Sequence, residues 1–288
     1  MSAKPQAPPE KPAPASAAER TPARCLSKPS SRRRRVTWVP CLPGERLFFP
    51  LLALGAFLLL WQAAAAWYGS DYLLPGPAAV LLALLEVARS GMLLEHVAVS
   101  LYRFGVGYLL AALVALPLGL VFGWYSRLHQ AFDPLIQVLR PISPVAWFPL
   151  AVLWFKIGDL PAIFIIFIAS FFPMLLATIA AVRGVDRVYI RVARNFGSSE
   201  WDLLHKVVIP AAFPYITVGL HIALGVGWIH LVAGEMLGAQ SGLGYFIIDA
   251  RNFLRTDQVI AGMLLVGLLG LSLDRLMSWT ERRVRSRW

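Results

Sequence analysis

Six apolar runs, each close to the length of a membrane-spanning helix, constrain this chain more than any other feature. A helix of about 20 apolar residues crosses the hydrocarbon core of a bilayer, where only helices or closed barrels satisfy their backbone hydrogen bonds. With 58% hydrophobic and 15% charged residues, the 288-residue chain has too little polar surface for a soluble domain. We therefore predict an all-α integral membrane protein with about six transmembrane helices, at 47–68, 101–124, 135–157, 160–182, 211–234 and 259–279.

The third run is the least regular of the six. Four residues interrupt it: Arg140, Pro141, Pro144 and Pro149. A proline inside a helix removes one hydrogen bond and clashes with the preceding turn. We therefore expect a kinked or tilted span between residues 135 and 157, whereas the fifth run has no formally charged residue between Pro210 and Glu235.

The basic residues give the orientation of the chain. They lie in four regions: 32–46, 127–140, 183–206 and 282–287. The loops between these regions are close to balanced in charge. Because cytoplasmic loops carry the excess of Lys and Arg, we predict that both termini are cytoplasmic.

These observations divide the chain into five parts. We predict a disordered, cytoplasmic, Pro- and Ala-rich basic tail at 1–46, because such a composition cannot bury enough apolar surface to fold. The arginines at 32–35 would hold this tail against anionic membrane lipid. The other parts are the first transmembrane helix at 47–68, an extracytoplasmic segment at 69–95, the main transmembrane domain at 96–283 and a short basic cytoplasmic tail at 284–288.

Several kinds of site are missing from the sequence. The net charge of +11 lies in tails and short loops rather than on an interleaved basic and aromatic face, so we predict no nucleic-acid partner. The two cysteines and five histidines lack the spacing of a metal site. No phosphate-cradling loop of Gly and Lys occurs, and Gly242-Leu243-Gly244 lacks the third Gly of a dinucleotide motif. We expect no cofactor on this chain and no ATP binding by it.

The loop at 183–210, between the fourth and fifth runs, has the features of a docking surface. Gly197 permits a bend between two short helices, and Pro210 is expected to stop a helix from running through. Ser199 lies three residues before Asp202, as in a capping box, so we predict a short helix there. Trp201, Leu204 and His205 would share one side of that helix. An exposed Trp suits insertion into a cleft on a partner, although it would equally suit the lipid interface.

From about His96 to Arg283 the chain resembles the inner-membrane permease subunits of binding-protein-dependent ABC importers, in the branch that moves nitrate, sulfonates and taurine. The family's loop pattern is Glu-Ala-Ala, three residues, Gly, nine residues and Ile-x-Leu-Pro. It matches Arg191, Val192, Ala193, Gly197, Val207, Ile209 and Pro210, with Arg191 in place of the leading Glu. Further similarity lies at residues 139–150, 154–158 and 233–238.

The resemblance implies the type I ABC importer permease fold in a bacterial inner membrane. It further implies a second permease copy, two ATP-binding subunits on which ATP is hydrolysed, and an extracytoplasmic substrate-binding protein. The substrate would be a small anion such as a sulfonate, taurine, nitrate or bicarbonate. The residues expected to couple transport to the ATPase are Arg191, Ala193, Gly197, Trp201, Leu204, Ile209 and Pro210.

The fifth run has two distinguishable sides. Small residues at Gly219, Ala223 and Gly227 recur every four positions and would let another helix approach closely. The roughly opposite side has four residues that we predict to border the translocation path: His221, Gly225, Trp228 and Glu235. The alternative for Glu235 is that it marks the outer membrane boundary and hydrogen-bonds to backbone there.

The sequence fits three other classes of protein less well than a permease. An autonomous secondary carrier of small anions would need an ionisable residue at a span centre and usually internal repeats, which are not evident. A membrane-embedded enzyme would need converging acids, bases or a nucleophile, and no such cluster is seen. A structural anchor would leave the charged 183–210 loop unexplained.

Overall fold

The computed structural model describes residues 45–70 and 72–285. The predicted tail at 1–46 lies outside these residues except for its last two positions, and the tail at 284–288 lies inside them only to residue 285. By its contacts the chain divides after Pro50 into a first unit that ends there and a second unit from Leu51 onward. Within the first unit the described residues form only the first turns of a helix, and the core and the sites described below lie in the second unit.

The described residues form helices and connecting turns. In chain order the helices are α1 Glu45–Tyr68, α2 Pro77–Arg89, α3 Met92–Trp124, α4 Ser126–Leu139, the 3-10 turn Pro144–Trp147, α5 Phe148–Phe155, α6 Asp159–Arg183, α7 Arg187–Asn195, α8 Glu200–Leu203, the π turn Leu204–Val208, α9 Ile209–Gly238, α10 Leu243–Asn252 and α11 Thr256–Arg285. Five helical stretches are long and apolar enough to cross a membrane, or six if one bent pair counts as a span. The all-α fold with about six spans is therefore confirmed.

The core of the second unit is a close packing of α3, α6 and α9. Gly107 and Gly119 on α3 lie directly against α6, where an added Cβ would come within 3.0 Å of Ile166 and of Thr178 respectively. On α9 the predicted ridge of small residues is confirmed, because Gly219 faces Ala177 and Gly227 faces Ser170 on α6. Small residues let helix backbones approach closely. The resulting van der Waals contacts hold the helices together inside lipid, where the hydrophobic effect does not drive helices to associate.

The irregular third run is a broken pair of helices, as the prolines predict. The pair Ser126–Leu139 and Pro144–Phe155 is bent by 85°. Ser143, which precedes Pro144, has ψ 131, as expected because a proline disfavours the α conformation in the residue before it. The break leaves Arg140 at the carboxyl end of α4.

Between residues 69 and 124 the structure adds a helix and lengthens a span relative to the sequence prediction. The segment predicted at 69–95 contains the helix α2, whose Val80, Ala83 and Val87 are buried. The second span begins at Met92 rather than at residue 101, because the polar residues at its start belong to the first turns of α3. By contrast, α1 has no buried residue within its apolar window from Phe48 to Tyr68.

Candidate functional site

The first short helix of the 183–210 loop, α7, is closed at both ends by local hydrogen bonds. At its start the Asp186 carboxylate accepts from the Val188 amide at 2.9 Å, which is an N-cap. At its end the Ser198 amide donates to the Ala193 carbonyl at 3.2 Å and the Gly197 amide donates to the Arg194 carbonyl at 2.9 Å. This is a Schellman motif, and it requires the φ of +79° that Gly197 adopts.

The second short helix, α8, begins with the predicted cap. The Ser199 hydroxyl accepts from the Asp202 amide at 3.2 Å and donates to the Asp202 carboxylate at 2.7 Å. One turn later the Lys206 ammonium lies 2.6 Å from the Asp202 carboxylate. The rings of Trp201 and His205 are 3.9 Å apart between centroids and both side chains are exposed, as their predicted common side requires.

The prediction that Pro210 stops a helix is wrong. Helical structure runs continuously from Glu200 to Gly238, because the π turn Leu204–Val208 connects α8 to α9. A π turn shifts the hydrogen-bonding register, and a proline in the first turn of the following helix has no bond to lose. The short helix α8 and the fifth span are thus one element.

The loop is fastened to the spans by a buried cluster. Leu203 and Val208, each with no exposed surface, pack among residues of α6 and α9, including Val182 and Ile216. Two of the predicted coupling residues, Ala193 and Leu204, are partly buried against the same cluster. A movement of the loop must therefore displace the ends of α6 and α9.

The remaining predicted coupling residues vary in exposure. The structure exposes Arg191, Gly197 and Trp201, and Trp201 is 70% exposed. At the start of α9 it half-buries Ile209 and Pro210. Sequence reasoning missed Phe196, which is 86% exposed at the turn between α7 and α8. An aromatic residue directly before the glycine of the loop was the signal that could have found it.

A cavity of about 1270 Å³ adjoins the loop, between α7 and the junction of α3 with α4. Its walls include four arginines: Arg183, Arg187, Arg191 and Arg194. Arg194 pairs with Glu200 at 2.9 Å, whereas the one hydrogen bond of Arg191 to the described part of the chain is to the carbonyl of Arg187, at 3.4 Å. The loop surface is therefore basic, and Arg191 contributes to this charge at the position where the family pattern has Glu.

The side of α9 predicted to border a path is mostly occupied by contacts within the chain. The His221 imidazole lies between two carboxylates of α11, with Nε2 2.7 Å from Asp274 and Nδ1 3.2 Å from Glu281. Trp228 is buried and its indole donates to the Val266 carbonyl at 3.1 Å. Gly225 is exposed. The burial of Trp228 counts against its contact with a water-filled path.

Glu235 lies in a buried ion cluster that the sequence analysis missed. Its carboxylate Oε1 is 2.9 Å from Nη1 of Arg103, and the two side chains are 0% and 1% exposed. The Arg103 guanidinium also binds the Asp159 carboxylate, at 2.6 Å, and the carbonyl and hydroxyl of Ser241, at 2.6 and 2.8 Å. These contacts join α3, α6, α9 and the turn before α10, and they pair the Glu235 carboxylate with side chains as well as with backbone.

The comparisons with known proteins agree with this architecture. Residues 107–286 match the family described as "Binding-protein-dependent transport system inner membrane component". The chain is 38% identical over 277 residues to the nitrate import permease protein NrtB of Synechococcus elongatus, covering 89% of this chain and 96% of that protein. It is 36% identical over 242 residues to the taurine transport system permease protein TauC of Escherichia coli, covering 81% and 88%.

A solved structure shares the fold. A chain of the MetNI methionine ABC transporter, in an inward-facing conformation, superposes with a TM-score of 0.60 at 18% identity, covering 67% of this chain and 96% of that chain. The resemblance and the permease fold predicted from the sequence are confirmed. The chain therefore belongs to the family of binding-protein-dependent transport system inner membrane components, the permease subunits of ABC importers, which are multi-pass membrane proteins that work with ATPase subunits.

Proposed function

We propose that this permease forms the path by which a small anion, such as nitrate, taurine or another sulfonate, is imported at the expense of ATP. Relatives named for nitrate, taurine and aliphatic sulfonates share between 34% and 38% of their aligned residues with the chain, which supports the substrate class. The observation that carries the coupling part of the proposal is the continuity of α8 with α9. A partner bound at Trp201 would act directly on a span.

The working assembly in this proposal has two copies of this chain, two ATP-binding subunits and an extracytoplasmic binding protein that delivers the anion. ATP is hydrolysed on the ATP-binding subunits, and the chain holds no cofactor. Both termini and the 183–210 loop face the cytoplasm, which follows from the four basic regions of the sequence. The basic cavity beside α7 would then face the ATPases.

The mechanism rests on a rigid joint between docking surface and span. ATP binding changes the separation of the two ATPases, and a ligand shifts such an equilibrium only by its differential affinity for the two states. The exposed Phe196 and Trp201 would receive the movement, and Leu203 and Val208 would transmit it because they are fully buried against α6 and α9. The spans then alternate between two arrangements around the path.

Replacing Trp201 with Ala tests the docking surface. Loss of a central aromatic anchor costs about 2 kcal/mol or more of binding free energy, which weakens association roughly 30-fold. We expect the tagged variant to lose its ATP-binding subunit during purification, whereas the matched control Trp67→Ala, at an exposed Trp of α1, retains it. Mass spectrometry of the purified complexes measures this. Full retention by the Trp201 variant would contradict the docking assignment.

A pair of variants at Gly197 tests the turn itself. Gly197→Val forces a β-branched residue to a φ of +79°, whereas Gly197→Asn places there a residue that tolerates this conformation. An added Cβ meets no atom within 4 Å, so the difference between the variants is conformational. We expect ATP-dependent anion uptake in proteoliposomes to fall at least tenfold for the Val variant, since a strain of about 1–3 kcal/mol would redirect α8. Uptake by the Asn variant should stay within about twofold of the parent chain. Equal uptake by both would show that the turn is not needed for coupling.

The same proteoliposomes address the secondary-carrier alternative. Uptake by the purified permease without ATP-binding subunits and without ATP would favour an autonomous carrier. Uptake that requires both would establish the importer.

A further inference from the structure

A groove runs along a side of α9 on which the sequence analysis assigned only Gly219, as part of the ridge of small residues. It has a volume of about 410 Å³ and lies between α6, α9 and the bend that joins α4 to α5. Ile222 and Val226 of α9 and Phe172 of α6 form much of its apolar wall. This volume falls in the range of small-molecule sites. The groove is mostly apolar, with its few polar groups concentrated at Arg140 and His230.

Arg140 is the permanent charge in this groove. It is exposed at the carboxyl end of α4, at the break of the bent third span where the basic region 127–140 ends, and no carboxylate among the residues that the structure describes pairs with it. Ionisable residues within membrane spans usually face a bundle interior or a water-filled cavity, and they mark ion and substrate pathways. With no carboxylate partner among the described residues, the Arg140 guanidinium is available to pair with an anion that enters the groove.

His230 lies at another point of the groove wall. Its Nδ1 is 2.8 Å from the Val226 carbonyl, so Nδ1 carries the proton of that hydrogen bond. This leaves Nε2 without a protein partner within the part of the chain that is described. The groove therefore combines one fixed positive charge, one free imidazole nitrogen and an apolar wall.

We infer that this groove is an anion-selective part of the translocation path and that Arg140 is the cation that draws the anion into it. The occupant is a small oxyanion such as a sulfonate or nitrate, whose planar or pyramidal oxygens match the guanidinium fork. This inference rests on the proposed function for its direction of transport, but the charge preference itself is a property of the permease alone. The path then follows Ile222, Val226 and His230 rather than the side that bears Trp228 and Glu235.

The test uses charged thiol reagents as anion and cation probes. Val226→Cys, made in a chain whose Cys25 and Cys41 are replaced by Ser, is treated with the sulfonatoethyl and the trimethylammonioethyl methanethiosulfonates. Each rate is divided by the rate of the same reagent with a small free thiol. We expect the sulfonate to be favoured about tenfold, the size expected from one unit charge acting through partly hydrated surroundings. High salt should reduce the preference.

Variants of Arg140 test whether its charge causes the preference for the anionic reagent. Adding Arg140→Gln to the cysteine chain should abolish the preference and Arg140→Glu should invert it, whereas Arg127→Gln, at an exposed arginine of α4 outside the groove, should leave it unchanged. Ile222→Cys provides a second reporter if the first variant is not folded. No reaction at either reporter, or a preference that survives Arg140→Gln, would overturn the inference.

The outcome is independent of the coupling experiments. The probes report on the permease without ATP-binding subunits, so a charge preference can persist when ATPase docking has been disproved. A retained ATPase with no charge preference would instead leave the importer standing and remove Arg140 from its path.

Discussion

Replacing Arg103 with Met is expected to destabilise the folded permease by about 3–5 kcal/mol, because it leaves the fully buried Glu235 carboxylate without its ionic partner. The carboxylate would keep its hydrogen bonds from the Ser100 hydroxyl, at 2.8 and 2.9 Å, and from the Gly244 amide, at 2.9 Å. These bonds do not neutralise the charge. By the usual relation between free energy and melting temperature, the thermal midpoint in mild detergent should fall by roughly 10 °C.

Asp159 supplies the matched control. Its carboxylate contacts the same guanidinium, with Oδ1 2.6 Å from Nη2, but the side chain is 53% exposed. Exposed ion pairs contribute about 0–1 kcal/mol, so Asp159→Asn should shift the midpoint by only about 1–3 °C. Similar losses for Arg103→Met and Asp159→Asn would contradict the role given to burial.

A double variant separates pairing from packing. Arg103→Met combined with Glu235→Gln removes both charges while the Gln carbonyl can still accept from Ser100 and Gly244. We expect this chain to be more stable than Arg103→Met alone, since the uncompensated charge is the main cost of the single change. A double variant with the summed loss of the two single variants would show that the residues act independently.

Replacing Gly227 with Leu is the second change with a large expected effect. An added Cβ would collide with the Ser170 hydroxyl and lie 3.4 Å from Phe104, so a Leu side chain cannot fit between α6, α3 and α9. Overpacking costs about 1–3 kcal/mol, and more where backbones must separate. Because Gly227 lies within the close α6–α9 contact, we expect most of the variant to be lost as aggregate before purification.

Gly225→Leu is the control for this change, two residues away on the same helix. An added Cβ at Gly225 meets no atom within 4 Å, and the replacement improves helix propensity. We expect this variant to be as monodisperse as the parent chain on size-exclusion chromatography in detergent. If Gly225→Leu aggregates while Gly227→Leu does not, the packing of α9 against α6 is wrongly oriented.

Some features of this fold depend on nearby residues in the chain, and others depend on residues far apart in it. The broken third span could be predicted because prolines act on the turn in which they occur, and the ridge of small residues on α9 could be predicted because helical periodicity is local. The same local rule failed at Pro210. There the π turn of residues 204–208, held by the burial of Val208, carries the helix through.

The charged residues within the spans show the limit of sequence reasoning most clearly. Arg103 and Glu235 each suggest a need for a partner, but they are 132 residues apart in the chain, and their spacing carries no information about which residue that partner is. Only the packing of α3 against α6 and α9 brings them together. The same packing leaves Arg140 beside a groove, without a carboxylate partner among the described residues. From the sequence, Arg103 and Arg140 look alike, because each is an arginine within an apolar run.

The sequence by itself determined three things: that the chain crosses a membrane by helices, that it belongs with importer permeases, and that a glycine forms the turn in the 183–210 loop. Hydropathy, charge distribution and turn chemistry all depend on nearby residues. The tertiary structure alone decided that Glu235 is buried in an ion cluster, that Trp228 packs within the chain and that the groove lies over Ile222 and Val226. The physical reason is that the direction in which a helix side faces depends on the helices packed around it, and that arrangement is a property of the whole fold.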